Sequence, residues 1–269
     1  MVGNPRRARY VVRSHTTAWA SSVSKNVRRR SFLGLIAGAL TAAAGLVMFS
    51  FLRFEQPKPT TTRTSQTAQT GLQPKTSGAV SVEEALARRR SVREYADKSL
   101  IIEQVMQLLW AAQGITHRQY GFRTAPSAGG TYPLEIYVVT KPSGVEGLEA
   151  GIYHYEPRDH RLVERIMGDF SGQLMAAALD QEWVGSAPVN FVITAVFDRT
   201  TGKYGERGVR YVWQETGHAA QNIYLQAVAL GLGNVVIGGF HDAEVERILE
   251  LSDREKAAYV IPVGVPRTP

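Results

Sequence analysis

Arg89, Ser91 and Arg93 stand two residues apart directly after a predicted helix. In an extended segment that spacing puts all three side chains on one face. A guanidinium offers a planar fork of donors that matches phosphate oxygens two at a time, and a hydroxyl adds a neutral donor beside it. The chemistry this predicts is capture of a phosphorylated ligand. Taken alone, the same run of Arg88, Arg89 and Arg90 also suits the solvated end of a helix, where cations offset the dipole. Two further stretches could meet a ligand with backbone rather than side chains. Pro126-Ser127-Ala128-Gly129 lies in a run of small residues that leads into a strand, and Gly238-Gly239 comes just after a strand late in the chain. Small residues at such points let a flat ligand lie against the main chain, although glycines at strand ends are most often plain turns.

The elements that must position these residues emerge from local patterns. Ser81-Val-Glu-Glu has the form of a capping box and opens a helix reaching about Arg90. Ile102 to Gln113 carries Val105, Leu108, Leu109 and Ala112 on one stripe, with Gly114 as its stop. Strands are predicted at Glu135 to Thr140 and at Val189 to Phe197, the second an apolar β-branched run of the kind that lies centrally in a sheet. Ile152 to Tyr155 and Arg161 to Ile166 flank Glu-Pro-Arg-Asp-His as a hairpin. A helix of about 25 residues runs from about Glu206 to Leu230 and ends at Gly231. Short strands at Asn234 to Ile237 and Tyr259 to Val265 enclose a last helix near Asp242 to Leu251. Helices and strands mixed with hairpins imply an α+β domain over 79–269.

Several chemistries are excluded or unsupported. Cysteine is absent, which removes disulfides, thiolate nucleophiles and Cys-ligated metals. His117, His154, His160, His218 and His241 show no metal-ligand spacing, so no metal site is expected; His218 is expected to pack within the long helix. No Gly-x-Gly-x-x-Gly comes after a strand, so a dinucleotide fold has no support. The net charge of +7 is unevenly spread: residues 1–78 hold 12 Lys or Arg against Glu55 alone, whereas 79–269 hold 19 against 23 acidic residues. The domain itself is mildly acidic, which argues against a nucleic-acid partner.

The basic excess has another use. Phe32 to Leu52 is a run of 21 residues without a charge, about 30 Å long as a helix. Eight Lys or Arg and no acid precede it, the asymmetry that retains an N-terminus in the cytoplasm and sends the downstream chain across the membrane. Arg29-Arg-Ser-Phe-Leu-Gly34 at the join resembles a twin-arginine export signal. The expected layout is a basic cytoplasmic segment (1–31), a transmembrane or signal helix (32–52), a flexible Thr/Gln/Ser/Pro tether (53–78) and the folded domain on the extracytoplasmic side.

Taken in order, the first motif, the Pro-Ser-Ala-Gly turn and the late glycine pair resemble the FMN-dependent nitroreductase fold family across 81–266. Gly202-Lys203-Tyr204-Gly205, Arg210-Tyr211 and Gly217-His-Ala-Ala-Gln-Asn222 resemble its SagB/ThcOx-type dehydrogenase branch. The resemblance implies a mixed, mainly antiparallel sheet flanked by helices, in an intertwined homodimer with two FMN sites at its interface. It assigns Arg89, Ser91 and Arg93 to the ribityl phosphate, with Arg267 reaching the same group, and it brings Pro126, Ser127, Ala128 and Gly129 to the flavin ring from the other subunit. Backbone at Gly238 and Gly239 would approach the ring's reactive edge. Lys203 and Tyr204 match the pair assigned to proton removal while hydride passes from a small organic or peptide-derived substrate to flavin N5. A domain beyond the membrane would not meet cytoplasmic NAD(P)H, so reduction by the organic substrate is expected. The competing expectation is a tethered flavin-binding or scaffold protein without turnover.

Overall fold

A computed structural model of the chain describes Thr67 and Ala68 and residues 72–267. The apolar run 32–52 and the arginines before it lie outside the described residues. Among the described residues no helix is long and apolar enough to cross a membrane.

The chain folds as β1 (Thr67–Ala68), α1 (Val82–Arg88), α2 (Ile102–Gln113), β2 (Ile115–His117), β3 (Phe122–Arg123), a 3-10 turn (Ala128–Gly130), β4 (Leu134–Thr140), β5 (Gly151–Glu156) and β6 (Arg161–Met167). It continues through α3 (Ser171–Ala177), α4 (Glu182–Ser186), β7 (Val189–Val196), α5 (Asp198–Tyr204), α6 (Arg207–Ala229), β8 (Gly233–Asn234), α7 (Asp242–Ile248) and β9 (Glu255–Gly264). Seven strands form one sheet in the order β1-β6-β5-β4-β7-β9-β8, and β2 pairs with β3 as a separate ribbon. Every pair within the large sheet is antiparallel, where a mixed, mainly antiparallel sheet was expected. Parallel pairing is confined to isolated bridges, Ser91 with Asn234 and Leu100 with Val145.

β7 shows why this sequence makes a three-layer domain. Its alternate residues Phe191, Ile193 and Ala195 enter a core built with Leu108 and Leu109 of α2 and Val212 and Ile223 of α6. Val192 points the other way, among Leu174 of α3, Val184 of α4 and Val245 and Ile248 of α7. A strand covered on both faces has no solvent side to present, so β7 is apolar except for Asn190 and Thr194, both of them buried. α2 packs along α6 on one face of the sheet, and α3, α4 and α7 cover the other.

The long helix ends where expected, at Gly231 with φ +69. Its start differs. The stretch before it is a separate helix, α5, closed at Gly205 with φ +58, so Lys203 and Tyr204 sit on the last turn of α5. Two helices and two strands escaped the sequence reading, since α3, α4, β2 and β3 are too short to show a period. Beyond Asn234 the expected strand reduces to one bridge, Ile237 with Val260. Residues 72–78, part of the sequence's tether, lie against the domain: Lys75 N–H donates to Gln107 Oε1 at 2.8 Å and its carbonyl accepts from Gln107 Nε2 at 2.9 Å.

Candidate active site

The segment after α1 is extended, as its spacing predicted. Val92 N–H donates to Asn234 O at 2.9 Å and Ala96 N–H to Val265 O at 2.8 Å, which ties the segment to the end of the sheet. Ser91 and Arg93 are exposed and Arg89 is half-buried. Neither Arg89 nor Arg93 is paired with a carboxylate among the described residues. Both are instead laid against aromatic rings. The Arg89 guanidinium lies 5.0 Å from the centre of the Tyr224 ring, and that of Arg93 5.4 Å from the Trp183 ring. Such stacking leaves the donor edges of the fork open.

Tyr224, which the sequence reading missed, is the hub of this face. Its hydroxyl accepts from Val236 N–H at 3.0 Å and shares a 3.0 Å hydrogen bond with Ser91 Oγ. A tyrosine on the α6 face that meets 89–93 carries no signal in sequence beyond its place on a long helix. Gly238 and Gly239 close the same region and are exposed. Neither has a positive φ, and a Cβ on either would find its nearest atom at 3.5 Å or more. Their own fold does not demand glycine there, which fits close approach by a ligand. Gln181, at the start of α4, donates to Gly239 O at 2.9 Å, and Trp183 two residues on carries Arg93. Arg267 reaches the neighbourhood through its backbone, N–H to Glu94 O at 3.0 Å, while its guanidinium turns to the Glu94 carboxylate at 3.9 Å. The structure thus places Arg267 beside the phosphate-binding candidates with its side chain directed to an acid.

The second half of the site is built on the 126–129 turn. Ser127 Oγ accepts from Tyr132 N–H at 2.9 Å, and Gly129 takes φ +62. α5 is clamped over it. Lys203 Nζ donates to Gly129 O at 3.1 Å, Thr200 and Thr131 share a 2.8 Å hydroxyl bond, and Arg199 donates to Tyr132 O at 3.1 Å. A Cβ at Gly129 would overlap the Tyr204 hydroxyl and lie 2.6 Å from Lys203 Nζ. The Lys-Tyr pair and the Pro-Ser-Ala-Gly turn, far apart in sequence, are therefore one unit. Arg199 also pairs with Glu135 at 2.6 Å, and His154 holds the other Glu135 oxygen at 2.9 Å. Burial alone would push the Glu135 carboxyl up, but the His154 hydrogen bond and the Arg199 charge together hold it below the usual range. Glu215 of α6 faces Ser127 and Ala128 from beneath, and burial pushes its carboxyl up to about 7 against the pull of Ser127, Arg123 and the Ala128 amide.

His218 is exposed on α6, against the expected role in helix packing, because its position falls on the polar side of the helix. Among the described residues no group of His, Asp or Glu could hold a metal.

Residues 86–265 match the model of the nitroreductase family. The chain belongs to the nitroreductase family. A protein of Methanocaldococcus jannaschii, provisionally named a nitroreductase, is 44% identical over 69% of this chain and 91% of its own. The microcin B17-processing protein McbC of Escherichia coli is 31% identical over 52% of each chain, so this nitroreductase domain spans about half of that relative. Among solved structures, a nitroreductase-like protein of Ralstonia eutropha superposes with a TM-score of 0.65 at 27% identity, covering 76% of this chain and 90% of its own. The α+β fold with its antiparallel sheet is that of the family. Its members are oxidoreductases in general.

Proposed function

We propose that the domain is an FMN-dependent oxidoreductase of the SagB type that oxidises a small organic or peptide-derived substrate. The observation that carries this reading is the contact of Lys203 with Gly129: the two groups a dehydrogenation needs, a proton acceptor and a turn open to a flat ring, are in contact. FMN would supply the acceptor for the hydride at N5. The donor set fits it. Arg89, Ser91 and Arg93 present two unpaired cations and a hydroxyl for a phosphate, with Tyr224 fixing the hydroxyl; Gly238 and Gly239 present backbone with space above it. The chain's own residues do the rest. Lys203, held by the Gly129 carbonyl, and Tyr204, whose hydroxyl lies over the same glycine, remove the proton neighbouring the carbon that loses hydride.

The two halves are displaced along α6. Tyr224 carries the phosphate half and Glu215 the turn half, nine residues apart, which is about 13 Å along the axis and roughly half a turn around it. Halves on opposite sides of a helix do not close on one ligand, and this supports a homodimer in which each chain completes its partner's site. Light scattering on the purified chain should give twice the chain mass, with flavin lost as dimers dissociate; a monomer that keeps FMN contradicts the shared site.

The direct test of function is spectroscopic. Full-length protein loaded with FMN should lose its yellow colour when mixed without oxygen with an azoline-bearing peptide or another organic donor. Persistent colour with all such donors, or a protein that takes up no flavin, would favour a scaffold without turnover. The apolar run at 32–52 extends the proposal: with the domain beyond a membrane, substrate rather than NAD(P)H reduces the flavin. Protease accessibility in intact cells decides the side on which the domain lies.

A further inference from the structure

Glu215 is a titratable side chain with no part in the chemistry above. It lies in the first half of α6, 2% exposed, and neither of its carboxylate oxygens has a hydrogen bond of ordinary geometry. A buried carboxylate without partners is costly, and a glutamine or leucine would fill the same space more cheaply. Glutamate at this place therefore calls for an acceptor function that packing does not explain.

The polar groups nearest to it belong to the 126–129 turn. The Ser127 side chain and the Ala128 amide face the carboxylate, with Arg123 of β3 as the nearest cation. Ser127 Oγ already accepts from Tyr132 N–H, so its own proton is left to be donated. The Ala128 N–H has no backbone acceptor among the described residues. Two donors lacking acceptors thus stand opposite two acceptors lacking donors.

We propose that Glu215 is a positioning residue of the flavin site: its carboxylate takes hydrogen bonds from the Ser127 hydroxyl and the Ala128 amide, and so fixes the turn whose next residue, Gly129, receives Lys203. Its consequence for FMN rests on the function proposed above; the contact with the turn does not. A small shift of the turn toward α6 completes both hydrogen bonds, in the ligand-free chain as in the loaded one. Burial holds the carboxyl near neutrality, up to about 7, so the charged form that can accept both donors prevails only on the alkaline side. Other charges around it are spent. Arg123 donates to Gln113 of α2 at 2.8 Å and lies over the Tyr132 ring, Glu135 of β4 is held by Arg199 of α5 and by His154 of β5, and Lys203 meets the turn from the far side.

The test uses the full chain, Glu215→Gln, Ser127→Ala and the double variant, each measured ligand-free by thermal unfolding and then titrated with FMN at pH 6 and pH 8. The expected results are tighter FMN binding by the unaltered chain at pH 8 than at pH 6, a roughly tenfold weaker and pH-independent affinity in Glu215→Gln, and altered absorption bands of the bound flavin. The two single changes should be non-additive in the ligand-free protein, because they remove one hydrogen bond between them. Additive unfolding shifts together with wild-type flavin affinity and spectrum in Glu215→Gln overturn the proposal. If Glu215→Gln does not fold, Ser127→Ala alone decides, since unchanged flavin bands in that variant also overturn it. An unaltered chain that takes up no FMN refutes the flavin reading instead, while the ligand-free cycle still decides the contact.

Discussion

Lys203 Nζ donates to the carbonyl oxygen of Gly129 at 3.1 Å, across 74 positions of sequence. That hydrogen bond joins the residue best suited to take a proton to the turn best suited to meet a flat ring. It also explains why α5 is held by Arg199 and Thr200 at one end and by Lys203 at the other.

If the pair removes a proton, Lys203→Ala and Tyr204→Phe should each slow substrate oxidation by about 10²- to 10⁴-fold. Bound flavin should stay at the wild-type level, because neither side chain belongs to the phosphate half. Stopped-flow reduction of FMN beside a flavin assay separates the two; equal rates in the variants would leave Lys203 as a mere tie between α5 and the turn.

Gly129→Ala meets two obstacles at once. An alanine at φ +62 is strained by about 1 to 2 kcal/mol, and its methyl group displaces Lys203 and the Tyr204 hydroxyl. A loss of that size lowers the midpoint of thermal unfolding by roughly 2 to 8 °C in a domain of this size. The same variant should lose catalysis far beyond its loss of stability. A variant with unaltered turnover would show that the contact between turn and pair is dispensable.

How much of this was legible in sequence depends on period and reach. β7 and α6 were readable because a strand with six apolar residues in eight and a long helical stripe each give a sustained pattern. α4, with five residues, was not, and its absence hid Trp183 and so the ring under Arg93. The extended run Arg89-x-Ser91-x-Arg93 showed its common face directly, whereas Tyr224 and Glu215 gain their meaning only from residues on other elements. Lys203-Tyr204 came from the family resemblance, and their contact with Gly129 came only with the fold.

Glu215 predicts a pH dependence of stability. Its carboxyl is raised from an ordinary 4.5 to about 7 by burial, opposed by Ser127, Arg123 and Ala128. Between these values the folded chain keeps a proton that the unfolded chain has released, so stability is greatest below about 4.5 and falls as pH rises toward 7. The loss is on the order of 3 kcal/mol, at roughly 1.4 kcal/mol per pH unit. Glu215→Gln should lack this slope in urea unfolding from pH 4.5 to 8. Parallel curves for the two proteins would place the proton elsewhere.

The central claim is that Arg89, Ser91 and Arg93 anchor FMN, and equilibrium FMN binding to Arg93→Ala tests it most directly. Loss of one charged hydrogen bond to phosphate is worth about 1.5 to 3 kcal/mol, which predicts roughly 10- to 150-fold weaker binding and a protein that loses most of its colour on gel filtration. Thermal unfolding of the ligand-free variant should change little, since Arg93 is exposed, pairs with no carboxylate among the described residues and loses only its contact with the Trp183 ring, worth about 0.5 to 1 kcal/mol. Wild-type flavin affinity in Arg93→Ala would contradict the account.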